Sequence, residues 1–183
     1  MRIVGGNFRG RALAGPKTQA IRPTADRLRE TIFNILMHAY GDPVTGARVL
    51  DLFAGTGALG LEAMSRGAAF TLFVDDGAEA RALIRQNVET LGAAGVSRIF
   101  RRDATKLGAV HPNEPFSLVF LDPPYGKGFA EKALLSAREG GWMTQDALIM
   151  VEEAKGAFQT PDGFSEIERR DYDDTEITFL NLR

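Results

Sequence analysis

Between Val49 and Gly60 the chain passes from a short apolar run, Val49-Leu50-Asp51-Leu52-Phe53, into Ala54-Gly55-Thr56-Gly57-Ala58-Leu59-Gly60, a GxGxxG pattern. Few backbone paths accommodate this succession. Glycines at the first two positions permit a tight turn and let a ligand approach the main chain, and a helix that follows offers unpaired N–H groups at its first turn. The pattern predicts strand, sharp loop and helix in immediate succession, the opening unit of an open α/β sheet. Taken alone the match is weak, because a strand-to-helix turn can use the same glycines purely for packing.

The remaining chain agrees with that unit. Apolar periodicity predicts strands over 48–53, 70–75, 98–101, 116–121 and 147–152, with helices over 58–66, 78–91 and 128–139. Two further strands, over about 165–170 and 176–182, complete a mostly parallel seven-stranded sheet with helices on both faces, a Rossmann-like α/β fold whose ligand crevice lies at the carboxyl ends of the strands. Upstream, 2–4 and 8–13 read as a hairpin around Gly5-Gly6-Asn7, followed by a Gly15-Pro16 loop. Pro23-Thr24 then starts a helix with Thr24 as N-cap, Asp26 in the first turn and apolar residues at Ala25, Leu28, Ile32, Ile35, Leu36 and Ala39, closed by Gly41-Asp42-Pro43. The organisation expected is one domain, with a basic arm over 1–23 and an α/β body over 24–183.

Composition removes several function classes. The 183 residues include no cysteine, which excludes disulfides, thiolate metal sites and a cysteine nucleophile. His38 and His111 stand far apart without ligand spacing, so no metal is expected. The N-terminus lacks the apolar core of a signal peptide, and no run approaches the roughly 20 apolar residues of a membrane span. A cytoplasmic protein is expected. The net charge of −2 conceals an asymmetry: residues 1–29 carry seven basic side chains against Asp26 alone, a local +6, and leave the body at −8. Such polarity suits a polyanion held at one end, with Arg2, Arg9, Arg11, Lys17, Arg22 and Arg27 as candidate contacts to nucleic-acid phosphates. A merely solvated arm fits the charge count equally well.

Acidic residues at strand ends sharpen the reading of the glycine loop. Asp51, four residues before Gly55, would repel a dinucleotide pyrophosphate but suits a cationic amino-acid ligand, and S-adenosylmethionine carries a sulfonium and an ammonium. Asp75 follows the second strand, 20 residues beyond Gly55, where an acid can bind both ribose hydroxyls; Asp76 is the alternative. Asp103, beside Ala104 after the third strand, is placed to accept from an adenine amino group, although an ordinary loop carboxylate explains it nearly as well. With Phe53, Ala54, Gly55 and Gly57 these residues form the candidate cofactor site.

The fourth strand ends in Asp122-Pro123-Pro124-Tyr125. An exocyclic base amine is a poor nucleophile because its lone pair is delocalised into the ring. Asp122 and the Pro123 carbonyl can accept its two N–H bonds and aim the lone pair at a methyl donor, while Tyr125 offers a face for stacking. If stacking is its only task, Tyr125→Phe should be nearly harmless. Asp122, Pro123 and Tyr125 are thus the catalytic candidates, and Asp122 also borders the cofactor. Trp142 reads as a packing residue, and Glu152 and Glu153 as the end of a strand, outside the site.

With these motifs in view, the chain resembles the bacterial 16S rRNA guanine-N2 methyltransferases of the RsmD family over essentially its whole length. The similarity runs through MRIVGGNFRGRAL, RPTADRLRETIFNIL, VLDLFAGTGALGLEAMSRGA, FVD, RDA, FSLVFLDPPYGKG, GWM and ALIMVEE. It implies S-adenosylmethionine bound at Gly55 and Gly57, its ribose on the acid after the second strand, and a target amine held by the DPPY loop. It further implies that Arg22 to Arg29 closes over the cofactor near the RNA, with 16S ribosomal RNA or an assembling small subunit as partner. Two positions depart from the family pattern: Asp75 stands where Glu is usual, and Tyr172-Asp173-Asp174-Thr175 replaces Tyr-Gly-Asp-Thr. DPPY is shared with amino-methyltransferases acting on adenine or cytosine in DNA, so that substrate is an alternative. A nicotinamide-dependent oxidoreductase and a non-catalytic RNA-binding protein are more distant ones.

Overall fold

A computed structural model describes residues 1–17 and 25–183. Arg22, Pro23 and Thr24, which carry one expected RNA contact, the expected arm boundary and the expected N-cap, lie outside the described residues. Helix α1 covers Asp26–Ala39, and Ala25, which offers no side-chain cap, occupies the N-cap position. There follow β1 (Arg48–Leu52), α2 (Ala58–Ser65), β2 (Phe70–Val74), α3 (Ala78–Thr90), β3 (Ser97–Phe100), β4 (Phe116–Leu121), α4 (Phe129–Glu139), β5 (Met143–Ala154), β6 (Phe164–Tyr172) and β7 (Thr175–Leu182). The expected strand over 147–152 is longer at both ends because β5 pairs with β4 on one side and β7 on the other.

The seven strands lie in the order β3-β2-β1-β4-β5-β7-β6. The first five are parallel, and β7 runs antiparallel to both its neighbours. Order reverses between β1 and β4, so the loops leaving their carboxyl ends diverge and open a crevice there. This switch point brings the glycine loop opposite the DPPY loop.

Alternation along the strands divides the core. Leu50, Leu52, Leu72, Val119 and Leu121 face α4 and Trp142, whose ring stacks on Phe116 at 6.2 Å and whose Nε1 donates to the Gly108 carbonyl at 2.8 Å. Val49, Leu118 and Phe120 face α1 and α2, and Phe73 meets α3. Three helices therefore cover one face and one the other. The buried Arg29 guanidinium lies between Asp26 and Glu62, at 2.9 and 3.1 Å, so one charge of the basic segment is committed to the interior.

The expected hairpin forms as a doubled-back segment with a single bridge, Arg2 to Ala12, instead of continuous strands. Its arms are joined by Ile3 N–H to the Arg11 carbonyl, Gly10 N–H to the Ile3 carbonyl and Leu13 N–H to the Met1 carbonyl, while the turn between them is held by α2: Val4 and Gly5 N–H donate to Glu62, and Phe8 N–H to Ser65 Oγ. Ile3 and Leu13 are buried against α2 and α3. At the β6–β7 turn Asp173 adopts φ 56°, so an aspartate holds the left-handed conformation for which glycine is otherwise preferred. No helix among the described residues is long and apolar enough to cross a membrane.

Candidate active site

The crevice at the switch point is a cavity of about 570 Å³ bordered by Asp51, Phe53 to Thr56, Asp75 to Ala80 and Asp122 to Tyr125. Its glycine-loop wall is built by backbone necessity. Phe53, Gly55 and Gly57 take φ of 57°, 61° and 82°, which reverses the chain within a few residues of β1. Gly60 serves a different end: a Cβ there would stand 2.5 Å from the Phe73 ring and 3.0 Å from Asp51 Oδ2, so its absence lets α2 lie directly on the sheet.

Asp51 is buried, and its Oδ2 accepts the Gly60 N–H at 2.9 Å. Burial, with the nearby charge of Asp75, pushes its carboxyl up to about 8 despite that hydrogen bond. A carboxylate so costly to ionise on the wall of a cavity is suited to a cationic ligand. Asp75 sits at the end of β2 with one oxygen accepting from Gly55 N–H and the other from Gly77 N–H, both at 2.9 Å. Burial raises its carboxyl as well, offset by those two bonds. Asp76 borders the same cavity but is exposed, whereas Asp75 is held by backbone donors on both oxygens.

Asp103 and Ala104 line a smaller adjoining cavity of about 170 Å³, which shares Phe53, Asp75, Asp76 and Pro124 with the first. Asp103 Oδ1 accepts from the Thr105 N–H and hydroxyl at 2.8 and 2.7 Å, which holds its carboxyl below the usual range. Phe53 and Phe129 stack nearly parallel with centroids 6.4 Å apart beside it, giving this smaller cavity an aromatic wall. Phe129 opens α4 beyond the DPPY loop, and nothing local in the sequence marks it.

On the opposite wall, β4 delivers Asp122 half-buried, Pro123 buried and Tyr125 half-buried. The Tyr125 hydroxyl meets Glu152 Oε2 at 3.0 Å and Thr175 Oγ1, and Gly126 N–H donates to Glu153 Oε1 at 3.0 Å. Glu152 and Glu153 are fully buried at the end of β5. They belong to the support of this loop, contrary to their sequence reading as plain strand termini. Two consecutive carboxylates directly following the apolar run Ala147 to Val151 were the available signal, since buried carboxylates require donors.

Among the described residues, none of the basic candidates lines either cavity. Arg2, Arg9, Arg11, Lys17 and Arg27 are all exposed. Arg11 Nη2 donates to the Thr90 carbonyl at 2.7 Å, Arg2 Nη1 to the Gly10 carbonyl at 2.7 Å, and Lys17 N–H to Glu79 Oε1 at 3.2 Å. Because Glu79 borders the larger cavity, the Lys17 end of the segment reaches the rim of the site.

A glycine loop after the first strand, an acid after the second and a DPPY loop after the fourth, joined across one switch point, define a class I methyltransferase. The family described as conserved hypothetical protein 95 matches residues 1–181. The chain belongs to this family, the RsmD-family methyltransferases. The ribosomal RNA small subunit methyltransferase D of Escherichia coli strain K12 is 44% identical over 153 residues, covering 83% of this chain and 74% of its own. Its namesake in Haemophilus influenzae is 35% identical over 157 residues, covering 85% and 79%. Among solved structures, yhhF from Escherichia coli shares 33% identity with a TM-score of 0.82, over 100% of this chain and 98% of that one. A hypothetical protein of Thermus thermophilus shares 30% with a TM-score of 0.76, over 100% and 99%.

Proposed function

We propose that this protein, acting in the cytoplasm, transfers a methyl group from S-adenosylmethionine to the exocyclic N2 amine of a guanine in 16S rRNA. One observation carries the reading: the glycine-loop wall, with the acidic side chains of Asp51 and Asp75, and the DPPY loop line the same cavity. The names of the Escherichia coli and Haemophilus influenzae relatives support small-subunit ribosomal RNA as the substrate.

The donor set suits this cofactor. Asp51 offers a buried carboxyl that ionises to meet the cationic amino-acid end, Asp75 a fixed acceptor for ribose hydroxyls, and Asp103 with the Phe53–Phe129 wall a slot for a flat purine. When bound, the cofactor supplies an electrophilic methyl group. Asp122 and the Pro123 carbonyl accept the two N–H bonds of the base amine, which localises its lone pair and orders the reacting atoms. Tyr125, tethered through its hydroxyl, presents its ring as a fixed platform for the base. The base must leave any stack to reach this pocket, so an accessible loop nucleotide is the expected target. Arg2, Arg9, Arg11, Lys17, Arg22 and Arg27 would hold phosphates around it.

The deciding test is nucleoside mass spectrometry of ribosomal RNA from a strain lacking this gene, before and after complementation. Loss of one N2-methylguanosine, restored by wild-type protein but not by Asp122→Ala, is expected. Unchanged N2-methylguanosine with loss of a methylated adenine or cytosine would transfer the activity to a different base.

A further inference from the structure

The basic N-terminal segment is laid along α3 and tied to it at three places. Arg11 reaches Thr90 at the helix end, Ala14 meets Asn87, and Lys17 meets Glu79 in the first turn. The middle tie alone of these three also reaches the glycine loop. Asn87 is fully buried; its Oδ1 accepts the Ala14 N–H at 2.7 Å, and its Nδ2 donates to the carbonyls of Ala14 at 3.2 Å and Thr56 at 3.0 Å. The Ala14 N–H requires an acceptor, which fixes the orientation of the carboxamide and turns its donors toward the two carbonyls.

Thr56 lies between Gly55 and Gly57 and borders the larger cavity. The Thr56–Gly57 peptide is held at both ends: Asn87 takes its carbonyl, and its N–H donates to the Ala54 carbonyl at 2.8 Å. Gly55 and Gly57, both in left-handed conformation, flank Thr56 and allow the loop to turn there. A ligand that fixes the loop also fixes the Asn87 carboxamide, and through it residue 14 of the arm.

We propose that Asn87 is a positioning residue that couples occupancy of the glycine loop to docking of the basic N-terminal segment, so that a bound cofactor prepares the surface that receives RNA. This rests on the functional reading above. Linkage makes the coupling reciprocal: whatever docks the segment must tighten cofactor binding by the same factor. Asn87 touches neither the reacting atoms nor any phosphate and acts only through Thr56 and Ala14.

The test uses the full chain and adenosylhomocysteine as probe. Calorimetry first establishes binding, and amide hydrogen exchange is then followed in the peptide spanning residues 1–17, with and without the ligand. In the wild type, saturating ligand should slow exchange in this peptide by about fivefold or more. In Asn87→Ala the ligand should still bind while the slowing disappears. Ala14→Pro, which removes the N–H that Asn87 accepts but leaves the Asn87 bonds to the Ala14 and Thr56 carbonyls, should reduce the slowing at least about twofold if Asn87→Ala fails to fold. A ligand that binds the wild type without slowing the peptide overturns the coupling, as does a folded variant that responds like the wild type. No binding at all overturns the functional reading, and the coupling with it.

Discussion

The Tyr125 hydroxyl donates to Glu152 Oε2 across 3.0 Å, joining the loop after β4 to the buried end of β5. With its proton committed to a carboxylate, the phenol oxygen accepts from Thr175 Oγ1, so the ring is braced by two strands. Asp122 lies three residues upstream in the same loop and shares its cavity. The aim of the proposed amine-binding residues thus depends on a bond outside the motif.

Tyr125→Phe therefore should not be harmless, although a stacking role alone would make it so. Removing one hydrogen-bond donor to the buried Glu152 carboxylate should cost about 1 to 3 kcal/mol of stability and lower methyl transfer. Thermal melts with single-turnover rates on ribosomal RNA measure both. A variant with wild-type melting and turnover would show the tether to be idle.

Asp122→Ala should reduce methyl transfer at least about a hundredfold while adenosylhomocysteine affinity stays near wild type, because its proposed partner is the base amine. Calorimetry and turnover on the same preparation test this. More than about a tenth of wild-type turnover in a normally binding variant would make the loop structural.

Asp75→Ala should weaken adenosylhomocysteine by about 1.5 to 3 kcal/mol through loss of charge-assisted ribose contacts. The same change frees the Gly55 and Gly77 N–H groups, so Asp75→Asn, which keeps one acceptor, should fall between the two. Undiminished affinity in a folded Asp75→Ala protein would move the ribose role to Asp76.

Asp51 makes binding depend on pH. Its carboxyl, raised to about 8 in the free protein, must ionise to meet a cation, so binding near neutral pH should release a proton and tighten as pH rises from about 6 to about 8. Stability of the free protein runs the other way. Because the folded-state value lies above the unfolded one, this contribution is full below the ordinary carboxylate range and is lost as pH rises through about 8. Asp51→Asn should weaken binding and flatten both profiles. Calorimetry in buffers of different ionisation enthalpy detects the proton, and a pH-independent wild type would refute the assignment.

Neutralising Arg9 and Arg11 should flatten the dependence of log RNA affinity on log salt by up to about two units. Filter binding across a salt series reads the slope. Wild-type methylation by the double variant at every salt concentration would reduce the segment to a solubilising surface.

Features encoded in contiguous residues were legible without a structure. The strand-glycine-helix succession, the acids at strand ends, the Asp122-Pro123-Pro124-Tyr125 loop and the αβ alternation each follow from backbone preference or hydrophobic period within a few residues. The family resemblance follows from the same stretches. Long-range choices were not legible there. That Glu152 supports Tyr125, 27 residues away, depends on β5 lying beside β4. That Arg29 is buried against Glu62 instead of facing solvent depends on α1 and α2 sharing one face of the sheet. Only packing on α2 and α3 turned the expected hairpin arm into a surface tied to the glycine loop. Sequence determines local conformation because its causes are local; the partner of a buried polar group is decided by whichever strand or helix the assembled sheet places against it.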